Sequence, residues 1–168
     1  MFRFWYKFIM PNTSAITAGL GEDVFRHEVK PQFDAYMGLI FEDVCKQWLY
    51  EYARQGSLPF FAGEFGRWWG TNALSREQEE IDIMATRGEN ALFAECTWSK
   101  APVGVDVYNT LKRKAEMLGF VDASLFLFTK SAFTDELLRM GHKDDRIKLF
   151  TLSDMIAITR SATADNQA

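Results

Sequence analysis

The sequence predicts an α/β domain, a mixed sheet with helices packed on its faces, and three observations carry that expectation. Phe33, Met37, Ile40, Phe41, Val44, Trp48 and Tyr52 recur at spacings of three and four, as an amphipathic helix requires. Two alternating runs, Glu79–Met84 and Leu92–Trp98, flank the polar, glycine-containing stretch Ala85–Asn90, which reads as a hairpin. The unbroken apolar run Ala123–Phe128 suits a strand buried on both faces, typically parallel and covered by helices.

The remaining elements follow in order. Phe2–Ile9 is dense in aromatics and ends at the breaker pair Pro11-Asn12, so it reads as a helix needing a partner surface. Thr13 to Pro31 has weaker periodicity and suits a short helix or two with loops. Residues 1–32 thus form a helical appendage, and 33–160 the main domain. After the Phe33–Tyr52 helix, Gly56-Ser57-Leu58-Pro59 is a break, and Glu64–Trp69 a first strand closed by Gly70-Thr71-Asn72. Trp68 and Trp69 read as core and interface residues. Beyond the hairpin, Val107, Leu111, Ala115 and Leu118 mark a second helix. Thr134-Asp135-Glu136 starts a third, with Gly141 as its stop. Ile147–Leu152 reads as a last strand, and the small, polar tail 161–168 as disordered. A meander followed by strand–helix crossovers is the result.

Composition bounds the class. A chain of 168 residues, 48% hydrophobic and 25% charged, can bury a real core. The net charge of −4 argues against strong nonspecific nucleic-acid binding, though a local basic face is compatible with it. No run is long enough for a membrane span and no signal-peptide pattern is present, which points to the cytoplasm. Cys45 and Cys96 are too few for a disulfide scaffold and read as reduced thiols, Cys96 buried and inert. His27 and His142 lack metal-ligand spacing to any cysteine.

The acidic residues within the hairpin strands carry the chemistry. If the turn centres on Gly88-Glu89, Asp82 faces Glu95 and Glu80 faces Thr97, all four on one side of the sheet. Facing carboxylates repel one another, so folding alone does not explain them. A divalent cation with oxygen ligands reverses the penalty. Glu42, on the flank of the first helix, reads either as a solvent-reaching carboxylate or as an ion-pair partner of Lys46 one turn on.

Helix-borne Glu42, then Asp82, then Glu95-Cys96-Thr97 resembles the PD-(D/E)xK nuclease superfamily. The resemblance implies an αβββαβ, restriction-endonuclease-like core and Mg- or Mn-dependent phosphodiester hydrolysis. Asp82 and Glu95 would hold the metal and Glu42 would assist. The backbone carbonyl of Cys96 is a further candidate ligand, and Glu80 a supporting group. More narrowly, Phe65–Gly70, Glu80–Ile83, Phe93–Trp98 and Phe128–Thr134 look like the uncharacterised C-terminal domain of archaeal and bacterial AAA-type ATPases. Phe2–Tyr6 resembles the stretch preceding that domain. The implication is a fragment, or a stand-alone relative without the ATPase. No Walker A loop occurs, so this chain is expected to have no ATP site of that kind.

One departure stands out. The family pattern has Glu-Cys-Lys-Trp, whereas this chain reads Glu95-Cys96-Thr97-Trp98. The motif lysine stabilises charge as the phosphate becomes pentavalent, an effect worth a few kcal/mol. Thr97 can hydrogen-bond a water but carries no charge, so activity is expected to be weakened unless Lys46 delivers an ammonium from the helix. Arg67, Lys112, Arg113 and Lys114 could contact phosphates of DNA or RNA; for the three helix residues a solvated face is the plainer reading. The competing class is a non-catalytic module that docks nucleic acid, an ATPase region or a second copy through the aromatic N-terminus.

Overall fold

The computed structural model describes residues 2–71 and 76–165, with side chains up to residue 160. Asn72, placed in the loop after the first strand, and residues 166–168 of the expected tail lie outside the described residues. The chain divides into two compact units, Met1–Leu39 and Ile40–Ala168.

The first unit is helical. Phe2–Phe4 leads through a π-helical turn Trp5–Ile9 and a 3-10 turn Met10–Asn12 to a helix Thr13–Thr17. The same succession repeats as Gly21–Val24, Phe25–Val29 and Lys30–Gln32. Each widened and tightened pair surrounds a proline, Pro11 or Pro31, which lacks an N–H and whose ring crowds the carbonyl four residues back. Pro11 therefore distorts the first helix rather than ending it, contrary to the breaker reading. Phe8 is buried against the rings of Phe4 and Tyr36, with centroids 5.1 and 5.4 Å away.

The second unit is the expected mixed α/β domain. Its elements are α1 (Phe33–Arg54, entering from the first unit), β1 (Gly66–Thr71), β2 (Gln78–Arg87), β3 (Asn90–Thr97), α2 (Val105–Met117), β4 (Ser124–Thr129), α3 (Asp135–Lys143), β5 (Ile147–Thr151) and α4 (Leu152–Asp165). The open sheet has the order β1-β2-β3-β4-β5, antiparallel across β1, β2 and β3 and parallel across β3, β4 and β5. Two cores cover its faces. Phe41, Cys45, Trp48 and Leu49 of α1, with Met155 of α4, pack on Ile83, Leu92, Ala94, Phe126, Phe128 and Phe150. Tyr108, Leu111 and Ala115 of α2, with Leu137 of α3, pack on Ile81, Phe93, Leu125, Leu127 and Ile147. Strand side chains alternate between the two cores, so the apolar run in β4 is buried on both sides.

The hairpin turn falls on Gly88-Glu89, between the paired Arg87 and Asn90. Gly88 has φ +61°, the backbone that the first position of a two-residue turn of this hand demands. Elsewhere the expected boundaries move. β1 continues through Gly70 and Thr71. Thr134 caps α3 as expected, its hydroxyl accepting from the Leu137 amide, but Gly141 does not stop the helix. A Cβ at Gly141 would come within 3.1 Å of Leu149 Cδ1, so glycine there permits close approach of α3 to β5. Finally, α4 was not foreseen, and its backbone stays helical to Asp165, where a disordered tail was expected. The Trp48 indole donates to the Met155 carbonyl at 3.1 Å, tying α4 to α1.

Candidate active site

The site grows from an irregularity in β2. Gly66 pairs with Met84, but Trp68 pairs with Ile81, so Asp82 and Ile83 together oppose the single Arg67. Such a bulge breaks strand alternation. Ile81 accordingly joins the core under α2 and Ile83, two residues on, the core under α1. Between β2 and β3 the expected register holds from Arg87↔Asn90 to Ile83↔Ala94 and ends there. Asp82 therefore does not face Glu95 as a ladder pair. Its Oδ2 instead accepts the backbone N–H of Cys96 at 2.8 Å, a side-chain carboxylate standing where a ladder carbonyl would otherwise be. That bond anchors Asp82 beside Glu95.

Glu95 follows Phe93 on the α2 face, where the side chain of Lys114 reaches it. Lys114 Nζ lies 3.5 Å from Glu95 Oε2, too far for a charge-assisted hydrogen bond, and Oε2 is buried with no hydrogen-bond partner. Burial, then the Asp82 charge, pushes the Glu95 carboxyl up to about 7 against the pull of Lys114. Burial likewise raises Asp82, opposed by the Cys96 N–H and by Lys114. Both carboxyls are thus harder to ionise than ordinary acids, and Lys114 is a cation that lies beside them.

The other expected site residues are distributed around this pair. Glu42 of α1 is ion-paired to Arg67 of β1, and the same guanidinium holds Glu80 Oε1 at 2.9 Å. The bulge thus sends the Glu80 side chain toward Arg67 and Glu42, correcting the expectation that it shares a side with Glu95. Its backbone carbonyl accepts from Lys114 Nζ at 2.6 Å. Lys46 is half-buried on α1 and forms no ion pair with Glu42. Thr97 is half-buried at the end of β3, opposite Thr129. The Cys96 thiol is pushed well above the ordinary thiol range, first by its hydrogen bond with Cys45 and then by burial, as suits an inert sulfur. Lys112 and Arg113 are half exposed, the first 3.8 Å from Glu116 and the second bidentate on Glu79 at 2.8 Å. Sequence reasoning placed Lys114 with these two; its inward turn was the residue-level feature it missed. The available signal was its position between Leu111 and Ala115 on the buried stripe.

Among the described residues, no three His, Cys, Asp or Glu side chains converge to hold a metal ion. The pair that does converge still fits magnesium, which keeps several waters and commonly takes one or two protein carboxylates plus substrate phosphate. The hydrogen-bond-free Oε2 of Glu95 is the observation that supports the fit.

A bulged, open mixed sheet with two carboxylates at the diverging ends of β2 and β3 is thus the class of domain defined here. Over residues 5–118 the chain matches, and belongs to, the DUF234 family, described as archaea bacterial proteins of unknown function. It is 34% identical over 123 residues to the uncharacterized protein MJECL04 of Methanocaldococcus jannaschii, an alignment covering 71% of this chain and 26% of that protein. The chain therefore spans about a quarter of that relative. A crystal structure of AF1548, a protein of unknown function, is similar with a TM-score of 0.48 and 18% identity, covering 72% of this chain and 66% of that one. No helix among the described residues is long and apolar enough to cross a membrane.

Proposed function

We propose that the second unit is a PD-(D/E)xK-type domain that binds Mg²⁺ or Mn²⁺ through Asp82 and Glu95 and hydrolyses phosphodiesters. The observation that carries this reading is the bond from Cys96 N–H to Asp82, which seats that carboxylate beside a glutamate whose buried oxygen has no hydrogen bond. The element order supports it: one helix, three antiparallel strands, a crossover helix and a parallel strand. A bound divalent ion would polarise a phosphate and lower the pKa of a water. The chain's own residues do the remainder. Asp82 is held by the β3 backbone, Glu95 offers Oε2, and the Arg67–Glu42–Glu80 chain braces the bulge from the opposite side. Glu42 acts on the site through Arg67 rather than directly.

The test is thermal stabilisation by Mn²⁺, which rises as concentration passes the dissociation constant. Asp82→Asn is expected to abolish the shift while the metal-free protein stays folded. An equal shift in both proteins overturns the reading. Cleavage of a labelled oligonucleotide, dependent on the same ion and lost in Asp82→Asn, is the second expected result.

A non-catalytic reading is favoured by one observation, the large aromatic groups exposed on the first unit. Phe2 is 78% and Tyr6 59% exposed. That unit would dock a second copy or an ATPase region, in keeping with the resemblance to ATPase-linked domains, while the carboxylate pair held an ion without chemistry.

A further inference from the structure

Helix α2 carries three successive cations whose side chains go to different places. Lys112 and Arg113 stay half exposed against carboxylates. Lys114 lies one turn from Leu111, whose side chain is in the core, and its own side chain is only 12% exposed. Withdrawing an ammonium from water is costly unless its protons are taken up. The firm partner here is a backbone carbonyl, Glu80 O at 2.6 Å, which neither titrates nor swings away. That bond fixes the ammonium beside the carboxylates. Its ion pair with Glu95 is the looser contact, Nζ lying 3.5 Å from an Oε2 that lacks a close hydrogen bond. An ammonium has three protons, so two remain to be directed into the space shared with Asp82 and Glu95.

We propose that Lys114 is the cationic group that meets the substrate phosphate, supplying from α2 the charge that Thr97 does not supply from β3. The inference rests on the phosphodiester reading above and assigns a residue to it. Its geometric basis is separate: a lysine pinned by a main-chain oxygen, aimed at a carboxylate pair, on an element that does not carry the motif. Among the described residues, no ion pair joins Lys46 of α1 to Glu42, whose partner is Arg67.

The experiment compares wild type, Lys114→Met, Lys114→Arg and the double variant Lys114→Met with Thr97→Lys. Methionine keeps the apolar stem and removes the charge. Three quantities are read: Mn²⁺ affinity by thermal shift, cleavage of a labelled single-stranded oligonucleotide with Mn²⁺, and binding of that oligonucleotide with Ca²⁺. Lys114→Met is expected to keep a saturable Mn²⁺ response of the kind Asp82→Asn loses, while cleavage falls roughly tenfold or more. A lysine at 97 is expected to restore most of the loss, which a merely structural role for Lys114 would not allow. Undiminished cleavage in Lys114→Met, or no rescue by Thr97→Lys, overturns the assignment. Absence of cleavage in wild type defeats the hydrolytic reading instead, and the assignment is then decided by binding. Oligonucleotide binding weakened in Lys114→Met and kept in Lys114→Arg supports it; equal or absent binding in wild type and Lys114→Met overturns it.

Discussion

Glu95 shows how a single residue couples the site to stability. Its folded carboxyl sits at about 7, above the ordinary glutamate value of 4.5, so the native state holds the proton more tightly than the unfolded chain does. The stabilisation is complete below about pH 4.5 and drains as pH rises through 7. The whole shift corresponds to at most roughly 3–4 kcal/mol, since one unit is roughly 1.4 kcal/mol, and Asp82, Glu80 and Lys114 share the effect. In EDTA, melting temperature is therefore expected to fall between pH 5.5 and 8. Glu95→Gln, which cannot ionise, is expected to flatten that slope and melt several degrees higher at pH 8. An unchanged slope in the variant would place the titration elsewhere. At this scale the sequence was partly legible. Asp82 and Glu95 stand out because acids inside apolar alternation need a reason to be there. Lys114 stands out less: its place beside the buried stripe of Leu111 and Ala115 hints that it turns inward, but the main-chain oxygen it meets lies on another element and no side-chain pattern encodes that.

Elements were read well where a periodicity is long and poorly where a few residues decide. The α1 stripe, the hairpin and β4 follow from spacing alone. The bulge does not: one added residue opposite Arg67 reassigns Glu80 from the Glu95 side to the Arg67 side, and local composition gives no sign of it. Helix α4 is a different case, since its signal was present. Thr151-Leu152-Ser153-Asp154 is a capping-box arrangement: Asp154 Oδ2 accepts from the Thr151 amide at 2.8 Å, and the Asp154 amide donates to the Thr151 hydroxyl at 3.2 Å. The strand pattern Ile147–Leu152 ends inside that box, which hides the boundary. Thr151→Ala is expected to cost about 1 kcal/mol through the lost cap. Because α4 buries Met155 against α1, the loss should register as a global fall in melting temperature of a few degrees rather than as local fraying. A variant as stable as wild type, by thermal or urea unfolding, would mean that the cap is replaceable by water.

Across the whole molecule, the two units bury their apolar residues to very different extents. The second covers both faces of its sheet, whereas the first leaves Phe2, Trp5, Tyr6, Met10, Leu20 and Phe25 exposed while burying Phe8, Val24 and Val29. Large apolar groups left exposed on a short helical unit are the raw material of an interaction surface. Association through the first unit is expected, and sedimentation at several concentrations measures it. Replacing Phe2, Trp5 and Tyr6 together by serine should shift the protein toward monomer. The Mn²⁺ response should be unaffected, since these residues are remote in sequence from Asp82 and Glu95 and belong to the other compact unit. A concentration-independent monomer in wild type would exclude self-association and leave a different chain as the partner. Loss of the Mn²⁺ response on aromatic replacement would be more informative, because it would couple the first unit to the carboxylate pair and require association to complete the site.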